Sequence, residues 1–185
     1  MRAWPLLLAV LLLPATAWAQ GGYVRSLTVT HAKGAYLCDA VLFAPVPQPL
    51  AFDVLTDVDR MVEWVPNLRQ SRVLSRQGNV VLIEQVGLAQ FGLLSFNFST
   101  ERRLVLDRPT AIDAVQLRGS ANRYNSSLRL TPETGGTRLD YHAEFEPGLL
   151  AAIVISREFM EHEIAEQFTA MIQEMVRRNA MGGSR

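Results

Sequence analysis

The chain has 185 residues, 18 basic against 18 acidic side chains, 49% apolar content and one cysteine. That length is one domain's worth, and balanced charge without a basic tract leaves a nucleic-acid partner no electrostatic footprint. A lone cysteine cannot form an internal disulfide, so stability has to come from the core.

Met1-Arg2 precede an apolar run of eight, Leu6 to Leu13, and Ala17-Trp18-Ala19 form a small-x-small site. This order predicts a secretory signal peptide, residues 1–19, cut after Ala19. A retained membrane anchor would need about 20 apolar residues. No cysteine stands at the cut, so lipid attachment there is excluded. The mature chain is expected to begin at Gln20, in the periplasm or secreted. No later run is apolar for long enough to span a bilayer, although transient membrane contact stays open.

Residues 20–27 lack a pattern and read as a flexible lead-in. Thr28 to Ala44 is β-branched and aromatic, and reads as one long strand with a potential break at Gly34. "PVPQPL" stops it, because proline cannot donate to a ladder. Pro49 suits the first turn of a short helix through Leu55. "TDVDRMVEW" predicts a second short helix, with Thr56 or Asp57 as cap and Pro66 as its end. From Arg69 the period changes to two. "SRVLSR" and "NVVLIEQVGL" flank a hairpin signal at Gln77-Gly78-Asn79. Further strands, "LLSFNFSTERRLVL", "AIDAVQLRG", "NRYNSSLRLTP" and "TRLDYHAEFEP", are separated by turns at Phe91-Gly92, Asp107-Arg108-Pro109 and Glu133 to Gly136.

From Leu149 to Ala180 there is no proline or glycine. Ile153, Met160, Ile164, Phe168, Met171, Ile172 and Met175 fall at helical steps and predict one long amphipathic helix. Gly182-Gly183 ends it, leaving residues 181–185 as a disordered tail. A sheet with one apolar face needs a cover, and this helix is the only element long enough. The predicted architecture is α+β. A curved antiparallel sheet of six to seven strands wraps a long C-terminal helix, with two short helices after the first strand.

That order of elements resembles the helix-grip arrangement of the START-like (SRPBCC) superfamily. The wording of "FDVLTDVDRMVEWVP", then "RQSRVLSR", then "LRLTPETGGTRLDYHAEFEP" is similar to the branch holding polyketide cyclase/dehydrase-like and coenzyme-Q-binding proteins. The resemblance covers residues 28–180. It implies a hydrophobic small molecule or lipid held between sheet and helix, with no cofactor. The familiar bacterial members of this branch are cytosolic, and the export signal here departs from them.

Several residues carry the candidate chemistry. Trp64, with Met61 and Val65, reads either as a cap on a ligand's apolar end or as a staple between the short helices and the sheet. Phe96, Phe98, Thr100, Arg102, Leu104 and Leu106 alternate onto one strand face, and an arginine in such a row needs a partner. Arg102 either grips a ligand's acid or carbonyl, pairs with Glu84, or turns outward at a bulge. Tyr141 falls on the inner face of the last strand, opposite in sense to His142, which reads as solvent-facing. Phe159, Met160, Ile164, Phe168, Met171 and Met175 would line the helix side, either as ligand wall or as ordinary core. His31, His142 and His162 share no face spacing, so no metal site is expected. Cys38 reads as a buried small residue rather than a reactive thiol.

Three functions follow. One is an exported binding protein for a lipid-like or other hydrophobic molecule, which needs a cavity of roughly 300 Å³ or more. Another is a cyclase or dehydratase-like enzyme, for which Glu84, Arg102 and Tyr124 are the available groups and two of them must reach one pocket. The third is a ligand-free interaction module with a solid core and an apolar rim at Trp64. The oligomeric state is left open.

Overall fold

The computed structural model describes residues 22–91, 94–149, 151–153 and 155–182. The predicted signal peptide lies outside them, as do Gly92 of the expected turn and residues 183–185. Among the described residues no helix is long and apolar enough to cross a membrane.

The first strand is a hairpin rather than one long strand. β1 (Val24–Ala32) and β2 (Ala35–Ala44) pair antiparallel around Lys33-Gly34. Lys33 (φ 53°) and Gly34 (φ 82°) both sit in the left-handed region, as a two-residue hairpin turn requires. Residues 24–27 are therefore strand and not lead-in, and the Phe43 N–H donates to the Tyr23 carbonyl at 2.7 Å. Lysine is an unusual occupant of such a turn, which is why the pattern read straight through.

α1 (Gln48–Leu55) follows, with Pro49 in its first turn. The Thr56 hydroxyl donates back to the Phe52 carbonyl at 2.8 Å, so Thr56 closes this helix instead of opening the next. The second short helix is a single 3-10 segment, Val58–Glu63, and Asp57 before it makes no side-chain cap bond. β3 (Leu68–Gln77), β4 (Val80–Phe91), β5 (Leu94–Asp107), β6 (Ala111–Gly119), β7 (Arg123–Glu133) and β8 (Gly136–Glu146) form the expected meander. With the hairpin counted, the sheet has eight antiparallel strands in the order β1-β2-β8-β7-β6-β5-β4-β3. α2 (Arg157–Gly182) is shorter at its start than the sequence implies. The Phe159 N–H donates to the Ser156 hydroxyl at 3.1 Å, so Ser156 is the cap. Ala151–Ile153 forms a separate 3-10 turn, and Met181 and Gly182 belong to the helix rather than to a tail.

One face of the sheet packs on α2. In β2 the buried positions Tyr36, Cys38, Ala40, Leu42 and Ala44 alternate with more exposed ones, the period-two signature of a half-buried strand. At the end where α1 meets α2 the core is solid, with Phe52, Leu42, Leu139, Ile172 and Met175 fully buried.

Trp64 belongs to this solid end. The Arg178 guanidinium lies 4.7 Å from its ring centroid and that of Arg60 lies 5.7 Å away. Arg178 also donates to Asp57 Oδ2 at 2.7 Å and to Glu174 Oε1 at 2.7 Å. Glu174 is buried and takes a second pair from Arg177 at 2.6 Å. The cluster fastens the last turns of α2 to the segment joining α1 and the 3-10 helix. Hydrogen bonds from Arg177, then from Arg178, hold the Glu174 carboxyl below the ordinary carboxylate range, against the opposing effect of its burial. Its stabilisation is therefore present above the unfolded-state pKa and lost as pH falls through the folded one. Arg178→Ala is expected to cost about 2 kcal/mol in urea unfolding at neutral pH, the loss of hydrogen bonds to charged groups. The difference from the parent protein should shrink on acidification. An unchanged midpoint would show the cluster to be a solvated surface pair.

Candidate functional site

The sheet is not filled to the helix along its whole length. Cys38, Ala89, Ala114 and Ala143 floor its inner face with small side chains, and a cavity of about 250 Å³ opens above them. That falls short of the roughly 300 Å³ expected of a carrier pocket. For comparison, an apolar cavity of about 150 Å³ is enough for benzene. The space therefore suits one or two rings or an acyl chain.

Most of the expected lining residues do surround it. Met61 and Val65 close one side, Phe96, Phe98 and Tyr141 stand on the sheet, and Met160, Ile164, Phe168 and Met171 face it from α2. Phe96 and Phe159 meet across the gap at 5.5 Å between centroids, and Tyr141 meets Phe168 edge-on at 4.9 Å. Met175 instead sits in the solid core. Trp64 does not line the cavity, because its ring is taken up by the arginine cluster. Cys38 is fully buried, and burial pushes its thiol up to about 12, so it is inert at neutral pH. His142 is on the outer face, 2.7 Å from Asp39.

Arg102 points inward. A register shift does occur between Glu101 and Arg102, but it is absorbed by β6: Glu101 pairs with Arg118 and Arg102 with Gln116, leaving Leu117 as the extra residue. β5 keeps its alternation, so Thr100, Arg102 and Leu104 stay on one face. Glu84 is not its partner. The register sets Ile83 opposite Arg102 and Glu84 opposite Glu101, which turns Glu84 to the outer face. There it accepts from Arg72 Nε at 2.8 Å and Gln70 at 3.2 Å. Arg102 donates instead to the Ser126 hydroxyl at 2.6 Å and lies 4.4 Å from the Tyr124 ring centroid. Its Nε is buried without a hydrogen-bond partner, and no carboxylate pairs with it among the described residues. Tyr124 and Tyr141 share a hydroxyl–hydroxyl bond of 3.1 Å beside it. Burial, reinforced by Tyr124, raises the Tyr141 phenol well above its usual range, so Tyr141 stays protonated.

The sequence reading missed a second polar pair. Asn67, between the 3-10 helix and β3, donates to Glu163 Oε2 at 2.6 Å. Both residues line the cavity and are 7% and 6% exposed. Among the described residues, Asn67 Oδ1 and Glu163 Oε1 are buried without hydrogen-bond partners. Burial raises the Glu163 carboxyl above its ordinary range, and the Asn67 hydrogen bond only partly opposes it. A signal was present: Phe159, Glu163, Gln167, Met171 and Met175 follow one another at steps of four along α2. Weighting only apolar residues hid the acid on that ladder.

Comparison with known proteins agrees with this architecture. A zhui aromatase/cyclase from Streptomyces sp. R1128 superposes with a TM-score of 0.64 at 16% identity, covering 78% of this chain and 95% of that one. A STAR-related lipid transfer protein fragment from Xanthomonas axonopodis gives 0.62 at 9% identity, with 80% and 98% covered. A Thermus thermophilus protein gives 0.65 at 16% identity, with 76% and 97% covered. These likenesses establish the fold. No curated protein sequence matches. The model of the family described as polyketide cyclase / dehydrase and lipid transport matches residues 44–172, the stretch that runs from the end of β2 through the cavity-lining half of α2. The chain is a member of that family, with the START-like helix-grip fold.

Proposed function

We propose that this is an exported protein that binds a compact hydrophobic molecule carrying an anionic group, held between the sheet and α2. The observation that carries the reading is Arg102. A half-buried guanidinium that donates to a serine, stacks on an aromatic face and keeps a buried Nε without a hydrogen-bond partner among the described residues is costly. A carboxylate or similar anion on the guest supplies the missing partner, through charge-assisted hydrogen bonds. The apolar walls take the remainder, as in small-molecule pockets generally. That solved structures with this fold include a lipid transfer protein and an aromatase/cyclase supports a hydrophobic guest here.

A cyclase or dehydratase-like reaction is the second reading, favoured by one observation. Arg102, Tyr124 and the buried acid Glu163 line the same cavity. Glu84, being outside, has no part in it.

2-Naphthoic acid, followed by titration calorimetry, is a suitable probe. Binding is expected in the parent protein, with naphthalene itself weaker. Arg102→Gln should weaken 2-naphthoate at least tenfold, the scale of a lost hydrogen bond to a charged group, and leave naphthalene within about twofold. Ala143→Phe, which fills the floor, should abolish both without loss of folding. If 2-naphthoate binds Arg102→Gln as well as it binds the parent, the anion has no role. Export has its own check: protein from the producing cells should begin at Gln20 and fractionate outside the cytoplasm. A chain still starting at Met1 would contradict it.

A further inference from the structure

Arg102 accounts for only one of the polar features that face the cavity. The Asn67–Glu163 pair is built from two distant parts of the chain, is nine-tenths buried, and ends in two oxygens without partners. Asn67 is itself held firmly. Its carbonyl accepts from the Leu88 N–H at 2.9 Å, and a Cβ at Gly87 would fall 2.2 Å from that same oxygen. Were Glu163 ionised, the pair would present two buried acceptors, Glu163 Oε1 and Asn67 Oδ1, with the Gln167 side chain as the one further donor that acts on Glu163. One proton on Glu163 turns it into a donor beside an acceptor, which is the complement of a hydroxyl group.

We propose that the Asn67–Glu163 pair is a second polar anchor that recognises a hydroxyl on the bound molecule, Glu163 donating to that oxygen as a neutral carboxylic acid and Asn67 Oδ1 accepting its proton. The proposal rests on the hydrophobic-ligand reading above and narrows its ligand class. The guest is a compact apolar skeleton with a hydroxyl separate from its anionic group.

The surroundings favour the neutral acid. Burial raises the Glu163 carboxyl most, and Glu166 on the same helix adds to the effect. His162 and the Gln167 side chain act in the other direction, and His162 stands 4.0 Å from Glu166 across the outer side of α2. From the sheet, Gln85 is occupied by Ser71 and Met61, and Arg102 is engaged by Ser126. The donor on Glu163 is thus present at low pH and lost as pH rises through its raised pKa.

Two matched probe pairs test this by calorimetry: 2-naphthoic acid with 6-hydroxy-2-naphthoic acid, and decanoic acid with 10-hydroxydecanoic acid. At about pH 5.5, where free carboxylates are ionised, the hydroxylated member of at least one pair should bind about tenfold tighter. The preference should fade as pH is raised. Glu163→Gln, which keeps a donor that does not titrate, should retain the preference and lose its pH dependence. Glu163→Met and Asn67→Leu should erase the preference, so that within each variant the hydroxylated acid and its parent acid bind within about twofold of one another. Thermal unfolding and binding of the parent acids check that each variant is folded. Parent acids that bind with no hydroxyl preference on either skeleton would overturn this proposal alone. So would a preference that survives Glu163→Met. Failure of all four probes in the parent protein would overturn the ligand-binding reading, and this proposal with it.

Discussion

Covering one face of an eight-stranded antiparallel sheet with a single helix is the constraint from which the rest of this structure follows. A curved sheet and a straight rod meet closely only where large side chains bridge them. At the α1 end they do: Phe52, Leu139, Ile172 and Met175 fill the interior completely. Further along, Cys38, Ala114 and Ala143 on the sheet are too short to reach α2, and the hollow opens there. Leaving such a space forfeits the dispersion contacts that its walls would otherwise make. The solid end and the arginine cluster around Trp64 offset that loss and keep α2 seated.

The hollow is apolar in its bulk and polar at two places. The floor carries Arg102 with Ser126 and the paired tyrosines, and the α2 side carries Glu163 with Asn67. Each group ends in a buried atom without a partner. Folded proteins rarely leave such atoms unsatisfied; among the described residues three of the four face this one cavity, where a guest or ordered water can reach them, and the fourth, Trp64 Nε1, lies in the arginine cluster. The space is large enough for a compact hydrophobic molecule.

Much of this was legible in the sequence, for physical reasons. Proline and glycine punctuation with period-two runs fixed the six-strand meander, and the 149–180 stripe announced the covering helix. The inward face of β5, Arg102 included, followed from alternation. What escaped were features settled by tertiary register. Lys33-Gly34 is a weak turn signal, so two strands read as one. A bulge, one of the three readings open for Arg102, does form, but Leu117 on β6 takes it up and Arg102 stays inward. Glu84 missed Arg102 by one residue of register, which in a strand means the opposite face. Trp64 had two readings that local sequence cannot separate, because Arg178 reaches it from more than a hundred residues away. Glu163 was visible as a step of four from Phe159, but a charged residue on an apolar ladder is easily assigned to solvent.

The most direct measurement is the structure of the protein crystallised with 2-naphthoic acid. The account predicts the rings lying above Ala114 and Ala143, with a carboxylate oxygen within hydrogen-bond distance of Arg102. A cavity collapsed by the chain's own side chains, or a ligand bound only on the outer surface with Arg102 untouched, would contradict it.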